Sequence, residues 1–251
     1  MPEDQACVLI VIMFQKIQTT DIPNAKFYDI YLSNNSANKT VYFIGPYGGK
    51  MIYFRRFFKK TVAKGYRIVF LQPDKDILDA SNPRRLEGAI IEAQDFIRHD
   101  RGKVKRDSDY LVGVSLGSYL GLNVQLSESF TKFLVVAGGA PIVNVFKSHY
   151  LFRSQRKKLK NSVGFTYINT HWAPFDEAFK SHEMDHLNVL AINSKKDMVI
   201  PTKYLSRFMK ELTRAGAKVD NQQKGYLPHE LEALSLNWRI GQVTKFFAED
   251  A

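Results

Sequence analysis

Residues 109–122 read DYLVGVSLGSYLGL, and their interpretation decides that of the whole chain. An apolar run leads into Gly113-Val114-Ser115-Leu116-Gly117, after which apolar residues continue at helical spacing. A serine with a glycine two positions to either side marks a crowded turn, in which the backbone reverses so sharply that a Cβ at either glycine would collide. Such a turn lifts a serine hydroxyl above the end of a strand. A Gly/Ser-rich loop produces the same five letters by accident, so the surrounding sequence has to decide.

The surroundings repeat a strand–helix rhythm. Short apolar runs at 40–44 (TVYFI), 67–71 (RIVFL), 110–113, 132–137 (KFLVVA) and 187–192 (LNVLAI) read as strands covered on both faces, as in a parallel sheet. A weaker run lies at 217–221. Two more, 7–17 and 27–32, follow one another without a helix and predict an antiparallel edge. Between the strands, residues 51–64 put Phe54, Phe57, Phe58 and Val62 on one helical face and Arg55, Arg56, Lys59 and Lys60 on the other, with Gly65 placed to end the helix. Pro83 opens a helix that would close at His99, where a cation suits the helix dipole, and Pro201 opens one that stops at Gly216. The alternation predicts an α/β fold: one domain over 1–251 with a doubly wound, mostly parallel sheet of about eight strands. Residues 142–186 break the rhythm. They exceed what one crossover helix requires and predict an inserted helical cap or lid over the carboxyl ends of the strands, where open α/β sheets hold ligands.

Bulk properties narrow the function classes. With 251 residues, 45% of them hydrophobic, the chain can bury a sizeable core. Its single cysteine, Cys7, excludes an internal disulfide framework and a cysteine-rich metal site, so a reducing cytoplasmic compartment is expected. The run CVLIVIMF follows acidic PEDQ and is too short to span a bilayer, so it reads as a buried strand rather than a signal peptide or transmembrane segment. The net charge of +11 admits nucleic acid, anionic lipid or anionic substrates. No nucleic-acid module is recognisable and the basic residues fall in separate clusters, so no nucleic-acid partner is expected.

A serine hydroxyl is a poor nucleophile near neutral pH and needs a base, itself held in one tautomer by a carboxylate. The chain supplies both after later strands: Asp197 in SKKDMVIP and His229 in GYLPHE, in the order Ser, Asp, His. Leu116, at the start of the helix, offers a backbone N–H to a developing oxyanion. Together, DYLVGVSLGSYLGL, SKKDMVIP and GYLPHE resemble the α/β-hydrolase fold family, serine hydrolases with a G-x-S-x-G nucleophile elbow. The resemblance implies that Ser115 is the nucleophile, His229 the general base and Asp197 the orienting acid. It implies cleavage of a carboxylic ester or thioester, a small-molecule acyl substrate, through an acyl-enzyme and without a cofactor or metal. A second oxyanion donor is expected from the turn Gly45-Pro46-Tyr47-Gly48-Gly49, where the family often carries His-Gly. Pro46 has no N–H, so Tyr47 takes that place. The same turn lacks the spacing and the Ser/Thr of a phosphate-binding P-loop.

Other motifs compete. His182-Glu183-Met184-Asp185-His186 fits the H-E-x-x-H pattern of zinc peptidases, but a strand begins directly after His186 and leaves little helix to bring both histidines to one face. A hydrolase scaffold that binds a ligand and turns nothing over is the other alternative. His149 and His171 follow no core strand and read as packing or surface residues; Asp176 and Glu177 read as solvated. The basic residues Arg55, Arg56, Lys59 and Lys60, with Arg153, Arg156, Lys157, Lys158 and Lys160 in the cap, would border the site mouth and favour an anionic substrate.

Overall fold

Side chains alternate along the central strands between two cores. Val41 and Phe43 enter one with Val112, Val114, Leu134 and Val136, while Tyr42 and Ile44 enter the other with Leu111, Phe133 and Val135. A strand buried on both faces needs a helical layer on each side, and both layers are present. The computed structural model describes residues 14–16, 26–33, 37–79, 82–103, 108–139, 141–160, 164–223 and 225–249. Its strands are β1 (Phe14–Lys16), β2 (Tyr28–Ser33), β3 (Lys39–Ile44), β4 (Tyr66–Pro73), β5 (Ser108–Val114), β6 (Lys132–Val136), β7 (Asn188–Asn193) and β8 (Lys218–Gln223). They form one 8-stranded sheet in the order β1-β2-β4-β3-β5-β6-β7-β8. β1 and β2 pair antiparallel, as does β2 with β4, and every later pairing is parallel. Of the expected strand at 7–17, only 14–16 lies within the described residues.

Helices α1 (Arg55–Ala63), α8 (His229–Leu234) and α9 (Ile240–Ala248) cover one face, and α2 (Arg84–Lys103), α3 (Leu116–Glu128) and α7 (Thr202–Arg214) the other. α1 is preceded by a 3₁₀ turn, Met51–Phe54, and ends before Gly65, whose φ of +81° is the left-handed conformation expected of a helix stop. α2 runs past His99 to Lys103 because Arg101 ties its last turn to Asp109 at 3.0 Å, so His99 lies inside the helix rather than at its end. Phe43 holds α1 to the sheet: its ring centroid lies 4.9 Å from Phe54, 5.8 Å from Phe57 and 5.1 Å from Phe58. On the opposite core, Asp100 accepts hydrogen bonds from the Tyr42 hydroxyl at 2.7 Å and from two nitrogens of Arg67 at 2.8 and 2.9 Å.

The long interval before β7 holds α4 (Ile142–Ser148), a 3₁₀ turn, α5 (Arg153–Lys160) and α6 (Gly164–Glu177). Trp172 of α6 is fully buried, stands edge-on to Phe146 of α4 at 5.2 Å, and donates its indole N–H to Pro83 O at 2.9 Å. Asp176 is buried rather than solvated: its two carboxylate oxygens accept the N–H groups of Ile142 and Val143 at 2.9 and 3.1 Å, satisfying the otherwise orphaned first turn of α4.

Candidate active site

The turn after β5 is as crowded as its glycines suggest. Ser115 has φ 54° and ψ −119°, a conformation that costs a non-glycine residue of order 1–3 kcal/mol and persists only where the surroundings enforce it. A Cβ on Gly113 would lie 2.5 Å from Ser118 Cα, and one on Gly117 would meet the Ile44 carbonyl and lie 2.6 Å from the Gly45 carbonyl. The first glycine lets the chain fold back on itself. The second lets α3 begin against the turn after β3. Ser118, fully buried one turn into α3, donates its hydroxyl to Gly113 O at 2.7 Å and ties the helix start to the strand end.

Asp197 and His229 come from the loops after β7 and β8, whose neighbouring positions in the sheet make their loops neighbours too. Lys195 N–H donates to Gly225 O at 3.3 Å between the two loops, and the Lys196 ammonium sits 4.9 Å from the Tyr226 ring centroid. Asp197 Oδ1 accepts the N–H groups of Val199 and Ile200 at 2.8 and 2.7 Å, which leaves Oδ2 for His229 Nδ1 at 2.7 Å. His229 Nε2 lies 2.8 Å from Ser115 Oγ. The carboxylate fixes the ring so that Nδ1 carries a proton and Nε2 faces the hydroxyl as an acceptor. Both Asp197 and His229 are buried, which strengthens these contacts relative to their value in water.

Ser115, Leu116 and His229 line a cavity of about 670 Å³ with Pro46 and Tyr47 of the turn after β3. Leu116 opens α3, where a helix N–H has no carbonyl within its own helix. Gly48, at φ +65°, lets the Tyr47 turn close. Tyr53, Phe54, Leu78, Tyr119 and Ala233 supply apolar wall, and α4 and the turn before α5 add Ile142, Val145 and Phe152. The 142–186 interval thus borders the cavity, and Gln155 of α5 is a polar group in its lining.

No family model matches the chain, and no curated protein matches it. Comparison with solved structures gives a different result. An acylaminoacyl peptidase from Pyrococcus horikoshii superposes with a TM-score of 0.64 at 14% identity, covering 98% of this chain and 43% of that one. An esterase from Pyrobaculum calidifontis superposes with a TM-score of 0.63 at 12% identity, covering 96% of this chain and 91% of that one. The mouse α/β hydrolase domain-containing protein 10 gives 0.59 at 13% identity, with 93% and 98% covered. The chain has the α/β-hydrolase fold. It spans less than half the length of the peptidase structures it matches, and at these identities the likeness concerns the fold alone.

Within that α/β-hydrolase framework the competing motif does not assemble. Residues 178–181 form a 3₁₀ turn that stops before His182; 183 and 184 are not helical. His182 Nδ1 is bonded to Ala178 O at 2.7 Å, while His186 stands beside Asp185 at 3.5 Å. No helix presents the two histidines together, and among the described residues no group of three His, Cys, Asp or Glu side chains is arranged to hold a metal. His149 is buried against Met198 O, and His171 pairs with Glu87, as packing residues do. No described helix is long and apolar enough to cross a membrane.

Two contributions escaped the sequence reading. Burial pushes the Asp176 carboxyl up to about 7, against the Val143 and Ile142 N–H groups and the Tyr119 hydroxyl, which favour the charged form. Arg156 is bonded through Nη1 to the carbonyls of Phe146 and His149 at the end of α4, so it shapes the cavity wall as well as carrying charge. Aspartate and arginine are ordinary surface residues in a sequence; only the packing of α6 and α5 on α4 turns them inward.

Proposed function

We propose that the protein is a serine hydrolase that cleaves a carboxylic ester or thioester through an acyl-enzyme intermediate. The observation that carries this reading is the relay Asp197 Oδ2···His229 Nδ1, 2.7 Å, and His229 Nε2···Ser115 Oγ, 2.8 Å, opening into an apolar cavity. Ser115 Oγ attacks the substrate carbonyl carbon as its proton passes to His229 Nε2. The backbone N–H groups of Leu116 and Tyr47 hold the resulting oxyanion; one such donor is worth about 3 kcal/mol of transition-state stabilisation. His229 then protonates the departing alkoxide or thiolate. A water molecule, deprotonated by the same nitrogen, attacks the acyl-enzyme and releases the acid with Ser115 restored. Asp197 keeps the imidazole in the productive tautomer and stabilises it when charged. Residues 142–186 act as a cap that supplies one wall of the acyl pocket. The esterase among the structural neighbours supports the reaction class.

The test is labelling with a fluorophosphonate together with hydrolysis of p-nitrophenyl esters and acyl thioesters of graded chain length. Ser115→Ala should lose labelling and lower kcat/KM by a factor on the order of 10⁴ or more while thermal unfolding is retained. A wild-type chain that bound acyl ligands but neither labelled nor turned over would instead be a binding protein.

A further inference from the structure

α5 has two working faces. Gln155, with Phe152 just before the helix, faces the acyl cavity, and Leu159 on the same stripe is fully buried. Arg153, Arg156, Lys157 and Lys160 repeat at three- and four-residue spacing and line a second, more open groove of about 820 Å³, with Ser154 among them and Phe165 of α6 as apolar floor. Among the described residues no carboxylate belongs to that lining. At 100° per residue the two stripes are about a third of a turn apart, so the groove flanks the cavity across a single helix edge, a path of roughly 10 Å.

From this placement we infer that the groove is a subsite for a phosphate group on the substrate, so that the hydrolase takes a phosphate-bearing acyl compound whose acyl chain fills the cavity. The inference rests on the hydrolase reading for what the cavity does, and on the groove's own chemistry for the phosphate. Four cations facing one concavity leave a strong positive field that a dianion neutralises better than a single carboxylate. Arg156 is already held: Phe146 O and His149 O engage one nitrogen of its five-donor fork, which restricts the guanidinium at the groove wall and lowers the side-chain freedom lost when an oxyanion binds there. Arg153, Lys157 and Lys160 are exposed and line the same groove, adding their charges to its field. Phe165 gives the organic part next to the phosphate an apolar surface.

The experiment compares the octanoyl thioesters of pantetheine and of 4′-phosphopantetheine, which differ by one phosphate. Wild type should show a kcat/KM ratio favouring the phosphorylated probe by about tenfold or more at low salt, falling toward one at 1 M salt as charges are screened. Arg153→Gln/Lys157→Gln/Lys160→Gln should collapse the ratio to about one; Arg156 is left in place because it caps α4. Lys59 and Lys60 on α1, expected from the sequence to border the site mouth, are exposed and line neither the cavity nor the groove, so Lys59→Gln/Lys60→Gln should keep the ratio. Calorimetric titration of Ser115→Ala with free 4′-phosphopantetheine reads the groove without turnover, and the triple substitution should weaken that binding at least tenfold. A chain that binds the phosphate probe through these residues yet hydrolyses neither thioester refutes the hydrolase reading and leaves the groove standing. Equal ratios in wild type and triple variant, or equal loss in the α1 variant, overturn the subsite. So does salt-sensitive sedimentation with vesicles of 70% phosphatidylcholine and 30% phosphatidylserine in the absence of any preference for the soluble phosphate, an outcome that would make the groove a membrane contact.

Discussion

Replacing Asp176 with Asn should change stability by an amount that depends steeply on pH, because the native carboxyl is pushed up to about 7 from the ordinary 3.8. The native state holds the proton more tightly than the unfolded chain does. Stability from this group is therefore fully present below about 4, declines by about 1.4 kcal/mol per pH unit through the window up to about 7, and is gone above it. Between pH 5 and 8 wild type should lose roughly 3 kcal/mol that the Asn variant does not lose. The variant has its own cost: an amide offers one acceptor oxygen, whereas Ile142 and Val143 N–H groups use two, so one of the two caps is sacrificed at about 1 kcal/mol or more. Wild type should thus be the more stable protein at pH 5, and the difference should shrink or reverse by pH 8. Urea unfolding of both proteins at pH 5, 6, 7 and 8 measures it. A stability difference constant with pH, or one that grows in favour of wild type as pH rises, would mean that the two N–H donors outweigh burial, and the reasoning would be wrong.

Glycine substitutions near Ser115 separate crowding from backbone strain. Gly117→Ala drives a Cβ into the Ile44 and Gly45 carbonyls and should cost about 3 kcal/mol or more together with phosphonate labelling, whereas Gly48→Ala meets nothing within 4 Å and should cost only about 1 kcal/mol for its positive φ. Equal effects in thermal unfolding would remove the crowding argument. Asp100→Ala removes the carboxylate from the half-buried Arg67 and the acceptor from the buried Tyr42 hydroxyl, and should destabilise by about 3 kcal/mol or more in urea, while Arg67→Met/Asp100→Leu, which removes the charge but not the need of Tyr42 for that acceptor, should recover only part of that loss.

The central strands were legible in the sequence because burial on both faces forces uninterrupted apolar runs such as TVYFI and KFLVVA, spaced by helical stretches. The meeting of Ser115, Asp197 and His229 was legible for a related reason: each follows a strand, and parallel strands deliver their loops to one end. The 142–186 interval was not. Its helices are short, α5 is strongly basic and α6 carries Pro174, so their placement depends on tertiary contacts, Trp172 under Pro83 and Asp176 under α4, that no local pattern announces. α2 extends beyond the terminus that His99 suggests because Arg101, in its last turn, is bonded to Asp109 of the next strand, a contact with no local sequence signal.

The contact between Ser115 and His229 spans 114 residues, and β8, the strand that precedes His229, is at the sheet's margin. Pairing of such distant segments is slow, since the chain between them must be ordered before the contact rewards it. Reactivity of the serine should therefore emerge late in refolding, after most fluorescence and helical signal has recovered. Timed phosphonate capture during refolding would follow the arrival of that marginal strand, making the site a clock for the final step of assembly.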